Sequence, residues 1–185
     1  MSHDLSLPHS LTGHLLLAVP SLKEPPFARS VIYLAAHSVK EGAFGYILNR
    51  PLKQNIGDLM EDSKLGPLAK APVFVGGPVA ADKLAFASMR WSKARQRLKI
   101  QTHLSVENAQ HEMSMGRAVC GFVGYSGWGR GQLENELKRR SWIISTAGRQ
   151  VLAGRHPEDM WRDVLNEMGP LFGLMAGTPE KVELN

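Results

Sequence analysis

Only one cysteine, Cys120, occurs in the 185 residues, so the chain can form neither an internal disulfide nor a multi-cysteine zinc site. No apolar stretch approaches the ~18 residues of a membrane span, so no membrane association is expected. No Lys or Arg precedes Lys23, and the first apolar run, Leu15 to Val19, is too short for the core of a secretory signal; the expected location is therefore the cytosol. No fixed-period repeat, low-complexity tract or long polar linker divides the chain. Residues 1–185 are accordingly expected to form a single compact domain, with its core over about 13–169 and looser ends.

What is present is an ordinary globular composition, 43% hydrophobic and 21% charged, in a chain long enough to bury a proper core. Continuous apolar runs at Leu15 to Val19, Val31 to Ala36 and Phe44 to Leu48, each bounded by Pro, Gly, Asn or charged residues, predict strands covered on both faces. Val73 to Val75 predicts a fourth strand, which Gly76-Gly77-Pro78 ends. Ile56 to Met60 predicts a short helix. Ser105 is placed to cap a helix through Met113 that Gly116 ends. A second helix is expected near Gln132 to Arg140, where Glu134 precedes Lys138 by the four residues that favour an ion pair. A third begins at Pro157, carries Met160, Trp161, Val164 and Leu165 on its apolar face, and stops at Gly169-Pro170. Strands and helices interleave without a regular βαβ rhythm, so the expected class is α+β with a mixed sheet.

The richest segment for chemistry is Gly121 to Glu134, which predicts a strand, a glycine loop and a helix, the general outline of a phosphate-binding loop. The specific templates fail. A Walker A register from Gly124 to Gly129 places Arg130 and Gly131 where Lys and Ser or Thr are required, and a dinucleotide fingerprint from Gly127 meets Gln132 where a small residue belongs. Ser126 resembles a nucleophile elbow, but the flanking position that must be glycine is Trp128, and His156 is the only histidine downstream. A hydrolase using Ser126 is therefore an alternative and not the first expectation, and no catalytic residue is assigned. His111-Glu112 begins a zinc-protease pattern that Met115 breaks, and the seven histidines are scattered, so neither a metal site nor a cofactor is expected. His37, at a strand end, is expected to be a hydrogen-bonded structural histidine, and Cys120, in a buried strand, an inert thiol.

Charge is unevenly placed. The net charge is +5, and Arg90 to His103 carries Arg90, Lys93, Arg95, Arg97 and Lys99 with no acid. From Arg97 to Thr102 the alternation of polar and apolar residues suits a half-buried strand with a solvated basic face. The same segment could instead meet nucleic acid; five phosphate contacts would then lower affinity roughly 500-fold between about 50 and 200 mM salt. Asn49 and Arg50, the corner Gly76, Gly77 and Pro78, and the turn Gly127, Trp128 and Gly129 all lie at or beyond strand ends, where clefts form. They are the candidate ligand-binding residues.

Four ordered segments carry a resemblance: Arg29 to Leu34; Glu41 to Gly45 with Asn49 to Leu52; Val73 to Val79; and Gly124 to Gly129 with Gly131 to Glu134. On these the sequence resembles the YqgE/AlgH family of bacterial proteins, from about Gly13 to Gly169. The resemblance implies a compact α/β fold with a coiled or barrel-like mixed sheet flanked by helices. It also implies the label of transcriptional regulator, and no established catalytic residues. Leu84 and Ser88 stand where that family often has glycine and histidine. The functional expectation is a non-enzymatic protein acting through a protein partner or small ligand, with direct nucleic-acid binding through residues 90–103 as the alternative.

Overall fold

A computed structural model describes residues 10–61, 64–94, 96–148, 151 and 156–179. Nine strands form one mixed sheet: β1 His14–Ala18, β2 Val31–Ser38, β3 Gly42–Ile47, β4 Pro51–Asn55, β5 Pro72–Val75, β6 Val79–Ser92, β7 Arg97–Leu104, β8 Ala118–Trp128 and β9 Trp142–Thr146. The α-helices that flank them among the described residues include α1 Ile56–Leu59, α2 Val106–Ser114, α3 Gln132–Lys138, α4 Met160–Glu167 and α5 Pro170–Ala176. The sheet path runs β4-β5-β8-β3-β2-β1-β9, with the β6–β7 hairpin attached to β8 through β6. β4 and β9 end that path without pairing with each other, so the sheet stays open and is not closed into the barrel that the resemblance suggests.

Local chemistry accounts for most boundaries. Ser105 caps α2 by accepting the Asn108 N–H, and Gly116 ends the following turn at φ +71°, a backbone region that favours glycine. Gly169-Pro170 does more than stop α4. Gly169 turns the chain at φ +119°, and Pro170 occupies the first turn of α5, where a missing N–H costs nothing. α4 packs its apolar face onto the sheet, and the Trp161 indole donates to the Ala18 carbonyl at 2.8 Å.

The strand that organises the molecule is β8. Its residues Gly121–Val123 pair in parallel with β5 on one edge and antiparallel with β6 on the other, and residues 126–128 pair with β3. The strand continues through Gly124 to Trp128, so the expected glycine loop shrinks to the turn at 129–131. β6 is a long strand that the sequence does not announce, since its first five residues are exposed and only Phe86 to Ser88 are buried.

The core follows the sheet's two faces. Leu15, Leu17, Tyr33, Tyr46, Leu98, Phe122 and the α4 residues Trp161, Val164 and Leu165 form the largest cluster. Leu16, Ile32, Leu34, Ile47, Trp128, Leu133 and Trp142 form a second cluster, under α3. A third, with Ile56, Leu68, Phe86, Leu104 and Ala109, lies under α2.

Candidate functional site

Residues 76–78 carry the chain from the β5 edge of β8 to its β6 edge, and backbone there lies directly on backbone. A Cβ on Gly76 would stand 2.3 Å from the Gly124 carbonyl oxygen, and one on Gly77 would stand 2.3 Å from the Tyr125 carbonyl carbon. Gly124, at φ +68°, would place its own Cβ 2.3 Å from the Gly77 oxygen. No side chain fits at any of the three positions. Ser126 closes the same crossing: fully buried, it donates its hydroxyl to the Gly76 carbonyl at 3.1 Å. That proton is committed to a carbonyl and not to a histidine, so the geometry does not present Ser126 as a nucleophile.

Asn49 and Arg50 are used internally as well. The buried Asn49 amide accepts the Val31 N–H at 2.9 Å and donates to the Arg29 carbonyl at 2.9 Å. The Arg50 guanidinium donates to the carbonyls of Asn49 and Ala28. Asn49, Arg50, Gly76 and Gly77 line none of the clefts described below.

Pro78, Gly127 and Trp128 do reach one. With Phe27, Gln132, Glu136, Arg139 and Trp142 they line a cleft of about 460 Å³ between α3 and the segment after β1. Glu136 is engaged there: one of its oxygens accepts both indole N–H groups, from Trp128 at 2.8 Å and Trp142 at 2.7 Å, and the other accepts from Gln132, while Glu24 also lines the cleft. Gly129 is exposed beside it and donates its N–H to Gln132. Glu134, expected to pair with Lys138, instead meets His37 Nε2 at 2.8 Å. The other ring nitrogen of His37 accepts the Leu11 N–H at 2.9 Å, which makes His37 a strut between α3 and the residues before β1. Cys120 is buried, and burial pushes its thiol up to about 12. Among the described residues no group of three His, Cys, Asp or Glu could hold a metal ion, and no helix is long and apolar enough to cross a membrane.

The basic segment has a different geometry. Arg90 on β6 stands directly opposite Lys99 on β7, and Arg97 opposite Ser92, where the hairpin turns. Lys93 is exposed in that turn; Arg95 lies outside the described residues. Arg90, Arg97 and Lys99, with Thr12, Tyr33 and Gln101, line a cleft of about 410 Å³ that has no acidic residue in its wall. Among the described residues no carboxylate comes within ion-pair distance of these three cations. Among the described strands β7 pairs with β6 alone, and the cleft runs along its far edge, where the Leu98 N–H donates to the Ala147 carbonyl at 2.8 Å and the Ile100 N–H reaches the Tyr33 hydroxyl at 3.4 Å. On the α2 side of the hairpin, Glu112 accepts from Ser88, itself in the cleft wall, at 2.8 Å and from Arg117. The Arg117 bond first, and then the Ser88 bond, holds its carboxyl below the usual carboxylate range.

Beside that cleft the sequence offers no motif, yet the fold assembles an aromatic cup of about 310 Å³ from Phe44, Tyr46, His103 and Tyr125. Tyr33, in the wall of the cationic cleft, is the cross-strand partner of Tyr46, in the wall of the cup. Burial, and then the neighbouring Tyr125, raises the Tyr46 phenol above its ordinary value, so it keeps its proton. The four rings come from three strands far apart in sequence; only the strand patterns at Phe44 to Leu48 and Arg97 to Thr102 hinted at them.

The AlgH-like family profile (DUF179) matches residues 15–172. A UPF0301 protein of Streptomyces coelicolor is 34% identical, over 95% of this chain and 96% of its own length. A UPF0301 protein of Cytophaga hutchinsonii is 33% identical, over 94% and 98%. The solution structure of the AlgH protein from Pseudomonas aeruginosa superposes with a TM-score of 0.64 at 26% identity, covering 95% of this chain and 98% of that one. A crystal structure from Corynebacterium diphtheriae gives 0.70 at 22% identity, covering 96% and 95%, and shares the fold.

Proposed function

The chain belongs to the AlgH-like family, and we propose that it acts as a binding protein, without catalysis, for a phosphate-bearing anion held in the cleft along β7. One observation carries this reading: Arg90, Arg97 and Lys99 gather at a single concave site with no carboxylate to neutralise them. Like charges held this close repel one another, and the usual remedy at a protein surface is an interspersed acid. An anionic ligand supplies that missing charge, and guanidinium groups suit phosphate because they donate in a planar fork. The Thr12 and Tyr33 hydroxyls and the Gln101 amide add neutral polar groups to the wall.

The other conspicuous segments support a non-catalytic role. The glycine crossing is filled, and the Glu136 carboxylate of the tryptophan cleft is already occupied by indole and amide donors. A regulatory role through an anionic ligand is compatible with both.

The reading is tested with tripolyphosphate, followed by calorimetry at low salt on the whole chain. Arg97→Gln with Lys99→Gln is expected to weaken binding at least about tenfold, since each removes a charge-assisted hydrogen bond. Unchanged affinity in that double variant would contradict the proposal.

A further inference from the structure

On β7 the wall of the cationic cleft ends at Gln101. Along β7 the next ring-bearing residue is His103, and it belongs to the aromatic cup. A β-bulge puts it there. Phe86 pairs with Leu104 and Ser88 with Gln101, so Thr102 and His103 together face the single residue Ala87. Simple alternation would group Leu104 with Leu98 and Ile100. The extra residue reverses the faces: Leu104 packs with Phe86 under α2, and His103 turns its ring towards Phe44 and Tyr46. His103 sits at φ +57°, a sparsely used conformation for a side-chain-bearing residue and one that bulges near functional sites often hold.

A second bulge lies on β2. Leu34 pairs with Gly45 and Ala36 with Phe44, leaving Ala35 unpaired on β2 in the wall of the cationic cleft. One irregularity thus borders the cationic hollow and the other the aromatic one, and the cross-strand pair Tyr33 and Tyr46 links their walls.

The rings in the cup are arranged to receive a flat partner. Phe44 meets Tyr46, His103 and Tyr125 edge to face, with centroids 6.1 to 6.3 Å apart. The one stacked pair there is Tyr46 on Phe122 beneath, at 4.7 Å. Half-buried Phe44 and Tyr125 and exposed His103 make the rim, and no stacked partner among the described rings covers them. Lys99 to His103 is four residues, at most about 13 Å of strand and less across the bulge. That is the reach of a nucleobase, its sugar and two phosphates.

Resting on the assignment of the β7 cleft to phosphate, we infer that the ligand is a nucleotide unit, its phosphates on Arg90, Arg97 and Lys99 and its base stacked in the Phe44, Tyr46, His103 and Tyr125 cup. A free nucleotide and a single-stranded nucleic acid present the same chemistry. Electrostatic contact with phosphates combined with ring stacking is how single strands are held without sequence preference.

The test compares pyrophosphate, ADP and a six-nucleotide oligo(dA) on the whole protein, by calorimetry. ADP is expected to bind about tenfold more tightly than pyrophosphate, the gain that one stacked base confers. His103→Asn removes a ring while keeping a residue that tolerates positive φ, and Tyr125→Leu removes another. Each is expected to abolish most of the ADP gain and leave pyrophosphate binding unchanged. A hexanucleotide binding more tightly than ADP identifies a single strand as the source, and equal affinity identifies a free nucleotide; both support the inference. ADP binding no better than pyrophosphate, or a gain that survives both substitutions, overturns it while leaving the phosphate site intact. Failure of pyrophosphate itself to bind overturns the phosphate assignment as well.

Discussion

Two parts of this molecule draw the eye for opposite reasons: the glycine crossing at 76–78 and 124–126, and the groove along β7. The crossing is rich in residues that recur in ligand-binding loops, yet its glycines are consumed by contact with one another. The groove has no motif at all, yet among the described residues its cations stand without acidic partners and its rim rings Phe44, His103 and Tyr125 without stacked ones. Small residues let backbones touch, and where they touch no space remains for a ligand. Unneutralised charge beside unstacked rings leaves an interaction unmade, and a ligand can complete it.

Substitutions sharpen the contrast in order of expected effect. Gly124→Ala should be the most disruptive. It adds a methyl 2.3 Å from the Gly77 carbonyl at a positive φ, and a loss of about 3 kcal/mol or more in urea unfolding is expected. Gly131→Ala is its control. Its φ of +71° is close to the +68° of Gly124, but it has no atom within 4 Å of the added carbon, and it should lose only about 1 kcal/mol. Equal losses would mean that conformation, and not backbone contact, demands glycine at the crossing.

Glu136→Ala comes next. It strips the shared acceptor from two nearly buried indoles, and a loss of about 2 kcal/mol is expected, read as a lower denaturation midpoint. A negligible loss would show that the tryptophan cleft is open to water and is not a closed clasp. The series ends with Arg97→Gln and Lys99→Gln together, whose stability should change by less than about 0.5 kcal/mol. A large loss there would make the groove a structural feature like the crossing.

Much of the fold was legible from local chemistry. The apolar runs that became β1, β2, β3 and β5 were bounded by turn residues, and Ser105 and Pro157 marked helix starts where caps and a fixed φ are needed. β4, β6 and β9 were not. β6 alternates weakly because its first five residues are exposed, and β9 is five residues long with Trp142 its one buried residue. The end of α4 was readable at Gly169-Pro170, but not that the same proline opens α5, because a break and a start use the same pair of residues.

The candidate site was legible only in part. The cations of 90–99 were visible as a run, and their partnerless gathering on one edge became visible only when the hairpin paired Arg90 with Lys99. The aromatic cup had no signal in any single segment, since its register depends on two bulges that composition does not reveal. Asn49 and Arg50, placed by sequence at a cleft, turned out to satisfy backbone carbonyls and an amide at the start of β2.

The central claim is that the open groove and not the glycine crossing receives the ligand, and titration of ¹⁵N-labelled protein with tripolyphosphate reads both regions at once. The account predicts amide shifts concentrated at Arg90 and at Arg97 to Gln101, with Gly76, Gly77 and Gly124 to Ser126 unmoved. Shifts centred on the glycine crossing, with the β7 amides silent, would contradict it.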